Sequence, residues 1–503
     1  MQSHSLIRPE LLVLSPEHFR ALWPYLTVFL GSVLGILLGT VRTLNPKWSV
    51  FLISLATCIG GGWVAVNQLA LPAQAVFNQM MLVDTYSSFF NILILGTAAF
   101  SIISSLRYLD HEKMQYPEYY TLMLLSALGM MVMVAATDLV VLFVALELMS
   151  ISVYVLVGFR RTDTRSNEAA MKYFLLGSAA SAVLLYGVAL LYGASGSTDI
   201  KPILAMVQGQ RGAMVSPMFV LGSWLVSIGF LFKVAAVPFH MWMPDVYEGA
   251  PTPVTGFMTT GLKAASFAAF LRVFVSLGYG KGLAQSVEAH LHDILWICAV
   301  LTMVVGNILA LQQTNLKRML GYSSIAHTGY LIVGLLAGPK SGEGFAPIVV
   351  YLVGYSVMNL GAFAVLTILS GRDDRGLNLH DLNGLAQRRP WMAFAMAIFL
   401  FSLAGIPPTV GFVAKYMLFY SAIQAGEITL VVISVLCSAI SVYYYLRVLV
   451  AMYMRDPAGS SVPATRTPMW SAVGVAVMVA LTLQMGLMPN RVMEAAKRAV
   501  TGL

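Results

Sequence analysis

The chain has 503 residues, of which 58% are hydrophobic and only 10% charged, with a formal net charge of +8. Water-soluble domains carry about 25% charged residues, so the composition excludes a soluble enzyme and describes a polytopic membrane protein. The positive balance does not mark a nucleic-acid surface, because the basic residues are spread over short loops between apolar runs and form no dense patch.

The first twenty residues, MQSHSLIRPELLVLSPEHFR, are polar and mixed and lack the layout of a cleaved leader, so the first apolar run is expected to remain as a span. Only helices or closed barrels satisfy their backbones in lipid. Apolar runs of roughly 20 residues are the mark of spanning helices, which makes this an all-α fold. About fourteen segments qualify, at 24–41, 48–68, 86–106, 118–136, 139–158, 168–192, 216–236, 253–277, 291–311, 320–338, 347–370, 391–422, 428–452 and 469–489. Connections are short, and the chain reads as a single membrane domain over 1–503. It divides into N-terminal helices (24–106), a first repeat (118–277), a second repeat (291–452) and a C-terminal helix (469–489).

Lysine and arginine alternate between loops. With the N-terminus outside, fifteen fall on the cytoplasmic side and only Lys201, Arg211, Lys281 and Lys340 on the other. That bias predicts both termini on the outer side. Cys58, Cys298 and Cys437 fall singly in apolar segments, without the spacing of a metal site or disulfide framework, and read as core residues.

The middle of the chain repeats itself. LELMSISVYVLVGF (146–159) matches YSSIAHTGYLIVGL (322–335), placing Tyr154 on Tyr330 and Gly158 on Gly334 at an offset of 176. MKYFLLGSAAS (171–181) matches VVYLVGYSVMN (349–359), and FLRVF (270–274) matches YLRVL (445–449). Five spans separate matched elements, and an odd number inverts the second copy across the membrane. Each copy holds a proline-interrupted segment, with Pro238 and Pro244 in the first and Pro407 and Pro408 in the second. Proline removes a helical hydrogen bond, and lipid offers the freed carbonyl no partner. Paired breaks in inverted repeats point to a transport site, whereas either break alone is equally an ordinary kink.

Charges inside the apolar segments carry the chemistry. Glu147, Lys172, Lys233, Lys263 and Lys415 each cost at least ~2.5–3.5 kcal/mol at the centre of a bilayer, and such residues mark ion or proton paths by default. The repeat duplicates shape without duplicating charge: Glu147 falls on Ser323, Lys172 near Val350 and Lys263 on Ser438. Glu147 needs a nearby cation, and Lys233, five residues before Pro238, is the expected partner. At ~7 Å and an effective dielectric of ~20 the two attract by about 2.4 kcal/mol. A static ion pair holding two helices together is the competing account. Lys172 stands near a helix start, where it relays or snorkels to the surface. His327, and His240 just after Pro238, suit a relay or a hydrogen-bonded interior equally. Asp138 and Asp245 are expected near span ends in structural roles, and Arg272 and Arg447 as anchors at the membrane surface. No phosphate loop, zinc motif, CxxC pair or serine nucleophile elbow is present in the sequence. The expectation is a chain that moves ions and holds no cofactor or metal of its own.

The stretches LELMSISVYVLVGF, NEAAMKYFLLGSAASA, KVAAVPFHMWMPDVYEGAPTPVTGFMTTGLKAASF and LKRMLGYSSIAHTGYLIVG resemble the antiporter-like membrane subunits of respiratory complex I, relatives of Mrp-type cation/proton antiporters. The resemblance covers nearly the whole chain, and PFHMWMPDVYEGAPTPV is its most specific part. It implies fourteen helices with two inverted five-helix repeats, and proton translocation driven by quinone reduction elsewhere in an NADH:quinone oxidoreductase. It implies Glu147 and Lys233 as the pair of a first half-channel, Lys263 as a central relay and Lys415 toward the exit. Lysine at 415, the length, and the lack of a long amphipathic extension separate the chain from two of three paralogues. NAD(H), FMN, iron–sulfur clusters and quinone are implied in other subunits. The implied partners are the membrane and peripheral subunits of that complex and the lipids of a bacterial inner membrane. The alternatives are a subunit of an Mrp-type Na⁺/H⁺ antiporter and a non-pumping scaffold whose charges only hold helices together.

Overall fold

The computed structural model describes residues 15–41, 46–209, 216–279, 285–374, 376–457, 469–501 and 503. Arg42, Arg211, Lys281, Arg375 and Arg466 of the loop charge count lie outside them. The chain satisfies its backbone almost entirely with helices. In order these are α1 (Pro16–Thr40), α2 (Pro46–Gln68), α3 (Thr85–His111), α4 (Pro117–Ala135), α5 (Leu139–Val157), α6 (Thr164–Ser195) and α7 (Ile200–Gly209). Next come α8 (Pro217–Lys233), α9 (Trp242–Gly249), α10 (Thr252–Phe257), α11 (Lys263–Ser276), α12 (Gln285–Leu311), α13 (Leu316–Ala337) and α14 (Ala346–Leu369). The chain ends with α15 (Leu385–Arg388), α16 (Pro390–Ala404), α17 (Val410–Gln424), α18 (Ile428–Met454), α19 (Met469–Leu487) and α20 (Asn490–Val500). A small hairpin, β1 (Gln74–Val76) with β2 (Met81–Val83), fills the connection from α2 to α3.

Among the described residues, twelve helical stretches are long and apolar enough to cross a membrane, α10 and α11 counting as one. Two further apolar stretches are split, α8 from α9 and α16 from α17. The segment over 391–422, read as one span interrupted at Pro407 and Pro408, is two helices divided at that point. The first helix starts at Pro16, ahead of the expected 24, because Ser15 caps it: its Oγ accepts from the N–H of His18 while proline occupies the first turn. Asp138, Asp163 and Asn315 cap α5, α6 and α13 in the same way. Pro244 breaks nothing, since it lies in the first turn of α9, where an N–H is not needed. One close approach of helices occurs twice. A Cβ added at Gly129 would lie 2.5 Å from the Met149 nitrogen, and one at Gly306 would lie 2.6 Å from that of Ala326. The two contacts, α4 on α5 and α12 on α13, sit within a residue of the sequence offset.

Ion pairs between helix ends sort those ends into two faces. One carries Lys47 with Asp110, and Asp374 with both Lys317 (2.9 Å) and Arg160 (3.2 Å). The other carries Asp84 with Arg272 (2.8 Å), His292 with Glu427 (2.8 Å) and Glu343 with Lys497 (2.7 Å). Arg272 is thus no surface anchor: it is buried, paired with Asp84 and 5.0 Å over the Tyr86 ring. Arg447 is half-buried and donates to the carbonyls of Leu311 and Gln313, closing the end of α12.

Asp374, in the loop after α14, ties distant parts of the chain, because Tyr108 on α3 also donates to it at 3.0 Å. Burial pushes its carboxyl up, but Lys317 and Arg160 outweigh burial and hold it below the ordinary 3.8. A depressed carboxyl contributes stability that is complete above its unfolded value and is lost as pH falls through the folded one. Stability from this cluster is therefore expected to be flat at neutral pH and to fall only in strong acid. Asp374→Asn leaves the buried Lys317 without an anion and Arg160 with Asp163 alone, at 3.6 Å, and is expected to destabilise by about 3–5 kcal/mol. Thermal unfolding of the variant in detergent checks this; an unchanged midpoint would show that the cluster contributes nothing net.

Candidate functional site

Both helix breaks deliver free carbonyls to the interior. After Lys233 the chain leaves the helix through Val234 and Ala235 (φ +56), and after Ala404 through Gly405 (φ +87). The prolines themselves, Pro238, Pro407 and Pro408, are exposed. It is the freed backbone that meets buried polar groups. The carbonyl of Val234 accepts from Thr328 Oγ1 at 2.8 Å, and that of Ala404 from Lys415 Nζ at 2.9 Å. The N–H of Val237 is taken up by Thr302 Oγ1 at 2.9 Å. A third irregularity has no proline signal: a π-helical turn, Met258–Leu262, immediately precedes Lys263. Such turns interrupt the helical ladder and cluster at functional sites.

Lys233, Lys263 and Lys415 are all buried. Each donates to a serine hydroxyl and lies beside a tyrosine ring, and none has a carboxylate within ion-pair distance among the described residues. Lys233 Nζ donates to Ser150 Oγ at 2.9 Å, 5.9 Å from the Tyr154 ring. Lys263 Nζ spends its three hydrogens on the Ser324 carbonyl (2.6 Å), Ser324 Oγ (2.5 Å) and Thr328 Oγ1 (3.0 Å), 5.3 Å from the Tyr355 ring. Lys415 Nζ donates to Ser438 Oγ at 2.9 Å as well as to Ala404, 5.4 Å from the Tyr330 ring. Ser438 is the residue on which the repeat places Lys263. The fourth buried lysine, Lys317, differs by pairing with Asp374. Hydroxyls and rings stabilise an ammonium through dipole and quadrupole, yet each hydroxyl also accepts and passes on a proton, which a salt-bridged carboxylate does less readily.

Helix α13 links the three. Its Thr328 accepts from Lys263 and donates to the carbonyl of Val234, next to Lys233. One residue earlier, His327 holds Tyr351 OH at 2.5 Å and Tyr445 OH at 3.3 Å, and Tyr445 also bonds Ser323. Its ring lies 5.1 Å from that of Tyr355, beside Lys263, and 5.7 Å from that of Tyr330, beside Lys415. Every polar side-chain group in this band is a hydroxyl, an imidazole or an ammonium, and all but the ammonium are both donors and acceptors.

The other candidates fall elsewhere. Glu147 is half-buried on α5, where its carboxylate accepts from Ser181 Oγ at 2.5 Å. It makes no direct ion pair with Lys233; Ser150, three residues on along α5, is what Lys233 binds. Lys172 lies outside the buried series. Its side chain is 42% exposed and pairs with Glu168 (2.6 Å) and Asp245 (2.9 Å) at the mouth of a charged cavity of about 210 Å³. Asp245 also holds Arg318 at 2.6 Å, and Asp138 caps α5, so both act structurally. His240 is half-buried beyond the first break, with Nδ1 unpartnered.

At Lys415 the interior opens sideways. A cleft of about 470 Å³ between α17 and α18 runs from Gly405 and Lys415 to Ile423 and Val431. Gly405 is set by geometry: its φ is +87, and an added Cβ would lie 3.0 Å from Lys415 Cδ. Gly405→Ala is expected to cost about 1–2 kcal/mol for the left-handed backbone and to displace the ammonium from Ala404. Transport through the chain should fall while its folded yield persists; undiminished transport would show that the position of Lys415 is not critical.

Ser150, Ser324, Thr328, Ser438 and the tyrosines 351, 355 and 445 were not identifiable from sequence. Serine and threonine in spans ordinarily bond back to their own helix, and nothing in the chain order brings α13 against both breaks.

The family model described as "NADH:quinone oxidoreductase/Mrp antiporter, TM" matches residues 136–441. The NADH-quinone oxidoreductase subunit N of Trichlorobacter lovleyi is 44% identical over 472 residues, covering 93% of this chain and 95% of that one. Among solved structures, respiratory complex I from Thermus thermophilus contains a chain 34% identical, with a TM-score of 0.79 over 94% of this chain and 99% of that one. The Mrp complex from Dietzia sp. contains a chain with the same fold, with a TM-score of 0.78 at 21% identity over 96% of this chain and 97% of that one.

Proposed function

This chain belongs to the family of NADH:quinone oxidoreductase/Mrp antiporter membrane subunits, and from that premise we propose that it is the proton-translocating subunit N of an NADH:quinone oxidoreductase. Its partners are the other subunits of that complex, which hold the NAD(H), FMN, iron–sulfur and quinone sites. This chain supplies no redox group and acts as a proton path driven from its neighbours. Its membrane is a bacterial inner membrane, with both termini on the outer side.

The observation that carries the reading is the set of three buried lysines with hydroxyl and ring partners and no carboxylate. A scaffold that used charge to hold helices together would pair its ions, as Lys317–Asp374 and Arg272–Asp84 do. Lys233, Lys263 and Lys415 instead hold protons on neutral acceptors, from which a shift in a neighbouring charge can release them. Glu147, 2.5 Å from Ser181, is the titratable carboxylate on the Lys233 side, Lys263 the central station and Lys415 the station toward the outer side. His327 with Tyr351 and Tyr445 joins the last two, and Lys172 with Asp245 lines the inner mouth. His240 serves water entering at the first break.

The test is Lys263→Gln in the whole complex, reconstituted in sealed vesicles, with proton movement and quinone reduction followed together. Fewer protons per electron at retained assembly is the expected result. Unchanged coupling would remove Lys263 from the path. The same vesicles with and without Na⁺ separate this reading from the Mrp-type one, for which coupling would follow Na⁺.

A further inference from the structure

We propose that His292 and Glu427 form the outlet of the Lys415 half of the path, reached along the buried face of α17 by way of Ser421. The proposal rests on the reading of Lys415 as a proton station.

The two helices that hold the Lys415 ammonium converge on this pair. Lys415 is on α17 and its acceptor Ser438 on α18, and the turn between these helices is only Ala425, Gly426 (φ +84) and Glu427. The N–H of Glu427 donates to the Ala422 carbonyl at 2.9 Å, which fixes the carboxylate at the junction. Glu427 Oε1 lies 2.8 Å from Nε2 of His292 on α12. Their side chains are 13% and 22% exposed, so the pair is neither sealed in the interior nor dispersed in solvent.

Between Lys415 and this pair, α17 buries one face through Lys415, Leu418, Ser421 and Ala422. Ser421 stands six residues beyond Lys415, about 9 Å at 1.5 Å per residue. It is 1% exposed, and its hydroxyl has no partner within the protein. A buried hydroxyl of this kind is normally matched by a protein group or water, and here it lies on the buried side of α17, about a third of a turn round from the lysine. The lateral cleft runs beside this route on the exposed face of α17, past Tyr416, Tyr420 and Ile423, and reaches Val431, four residues beyond Glu427.

The chemistry of the pair differs from that of its surroundings. Asp84, Asp245, Glu343 and Asp374 are matched with arginine or lysine, which only donate. Glu427 is matched with an imidazole, whose two ring nitrogens can donate and accept. Asp293 lies 3.6 Å from Nδ1 of His292 and is open to solvent, Glu288 stands one turn earlier on α12, and the buried Tyr279 phenol lies within the field of Glu288 and Glu427. The mouth is therefore acidic. In one cycle the Lys415 ammonium gives up one proton, the His292–Glu427 pair takes one up, and the pair returns it to the outer solution, so that nothing is oxidised or reduced.

The complex reconstituted in sealed vesicles with Lys415→Ala, Glu427→Gln, Glu427→Asp or His292→Gln tests the proposal. Glu427→Gln and His292→Gln are expected to lower protons per electron to the level of Lys415→Ala, the Glu427→Gln/Lys415→Ala double variant to fall no further, and Glu427→Asp to restore coupling. A glutamine at 427 keeps a hydrogen bond to His292, so a merely structural contact would survive that change. Full coupling in Glu427→Gln beside a defective Lys415→Ala overturns the outlet and leaves the function standing. Full coupling in Lys415→Ala overturns the function itself. Should Glu427→Gln fail to assemble, Ser421→Ala, which removes the hydroxyl and adds no bulk, is expected to show the same loss; undiminished pumping in it would overturn the route.

Discussion

Lys415→Ala is expected to slow proton transfer through the second half of the chain by about 10²–10⁴-fold, the range for removing a positioned acid–base group, while the complex still assembles. The ammonium sits on the Ala404 carbonyl and the Ser438 hydroxyl at 2.9 Å each, is 6% exposed as a residue, and has no carboxylate partner among the described residues. Lys415→Glu is expected to be tolerated better than alanine. A protonated carboxyl can donate to Ala404, and an ionised one can accept from Ser438, so the site keeps a group that changes its proton count. Lys415→Arg separates relay from anchor, because a guanidinium does not release its proton in a protein. Pumping and quinone reduction, measured on the three variants at matched assembly, give the answer. Full pumping with arginine would make Lys415 an anchor, and its burial already opposes that role.

The second large effect is expected at the first break. Glu147→Gln and Lys233→Ala should each reduce coupled pumping strongly, and the double variant should lose less than the sum. A coupling energy of about 0.5–3 kcal/mol is the range for groups that act as a unit. The two side chains do not touch. Lys233 is bound to Ser150 and Glu147 to Ser181, with both serine contacts made around α5 and its neighbour α6. Coupling therefore passes through field and hydroxyls and not through a salt bridge, and it should weaken in Ser150→Ala. Strict additivity in the double variant would show two independent sites and sink the half-channel pairing.

The charged residues that matter most were legible because they violate composition. An ionisable group in an apolar run needs a reason, and Lys233, Lys263 and Lys415 stand out on that ground alone. Two other charged residues show what the local pattern leaves open. Lys172 satisfied the pattern but lies four residues from Glu168 and folds against Asp245, so it pairs at the surface. Arg272 was expected as an anchor at the membrane surface, yet Asp84, 188 residues away in the chain, buries with it.

The sequence by itself determined the membrane class, the spans, the paired breaks and the lysines, because hydropathy, proline and lone charges are local signals set by what lipid tolerates. Tertiary structure alone decided the partners. Whether Ser150, Ser324 or Ser438 meets a lysine depends on which helices pack together, and α13 against both breaks joins residues tens to hundreds of positions apart. The π-helical turn at Met258–Leu262 was likewise silent in sequence, since no residue in MTTGL forbids an ordinary helix and only packing around Lys263 imposes the extra residue per turn. The choice of neutral acceptors over carboxylates at the three lysines is the decisive feature of the site. It is a property of contact and so could not be read from residue order.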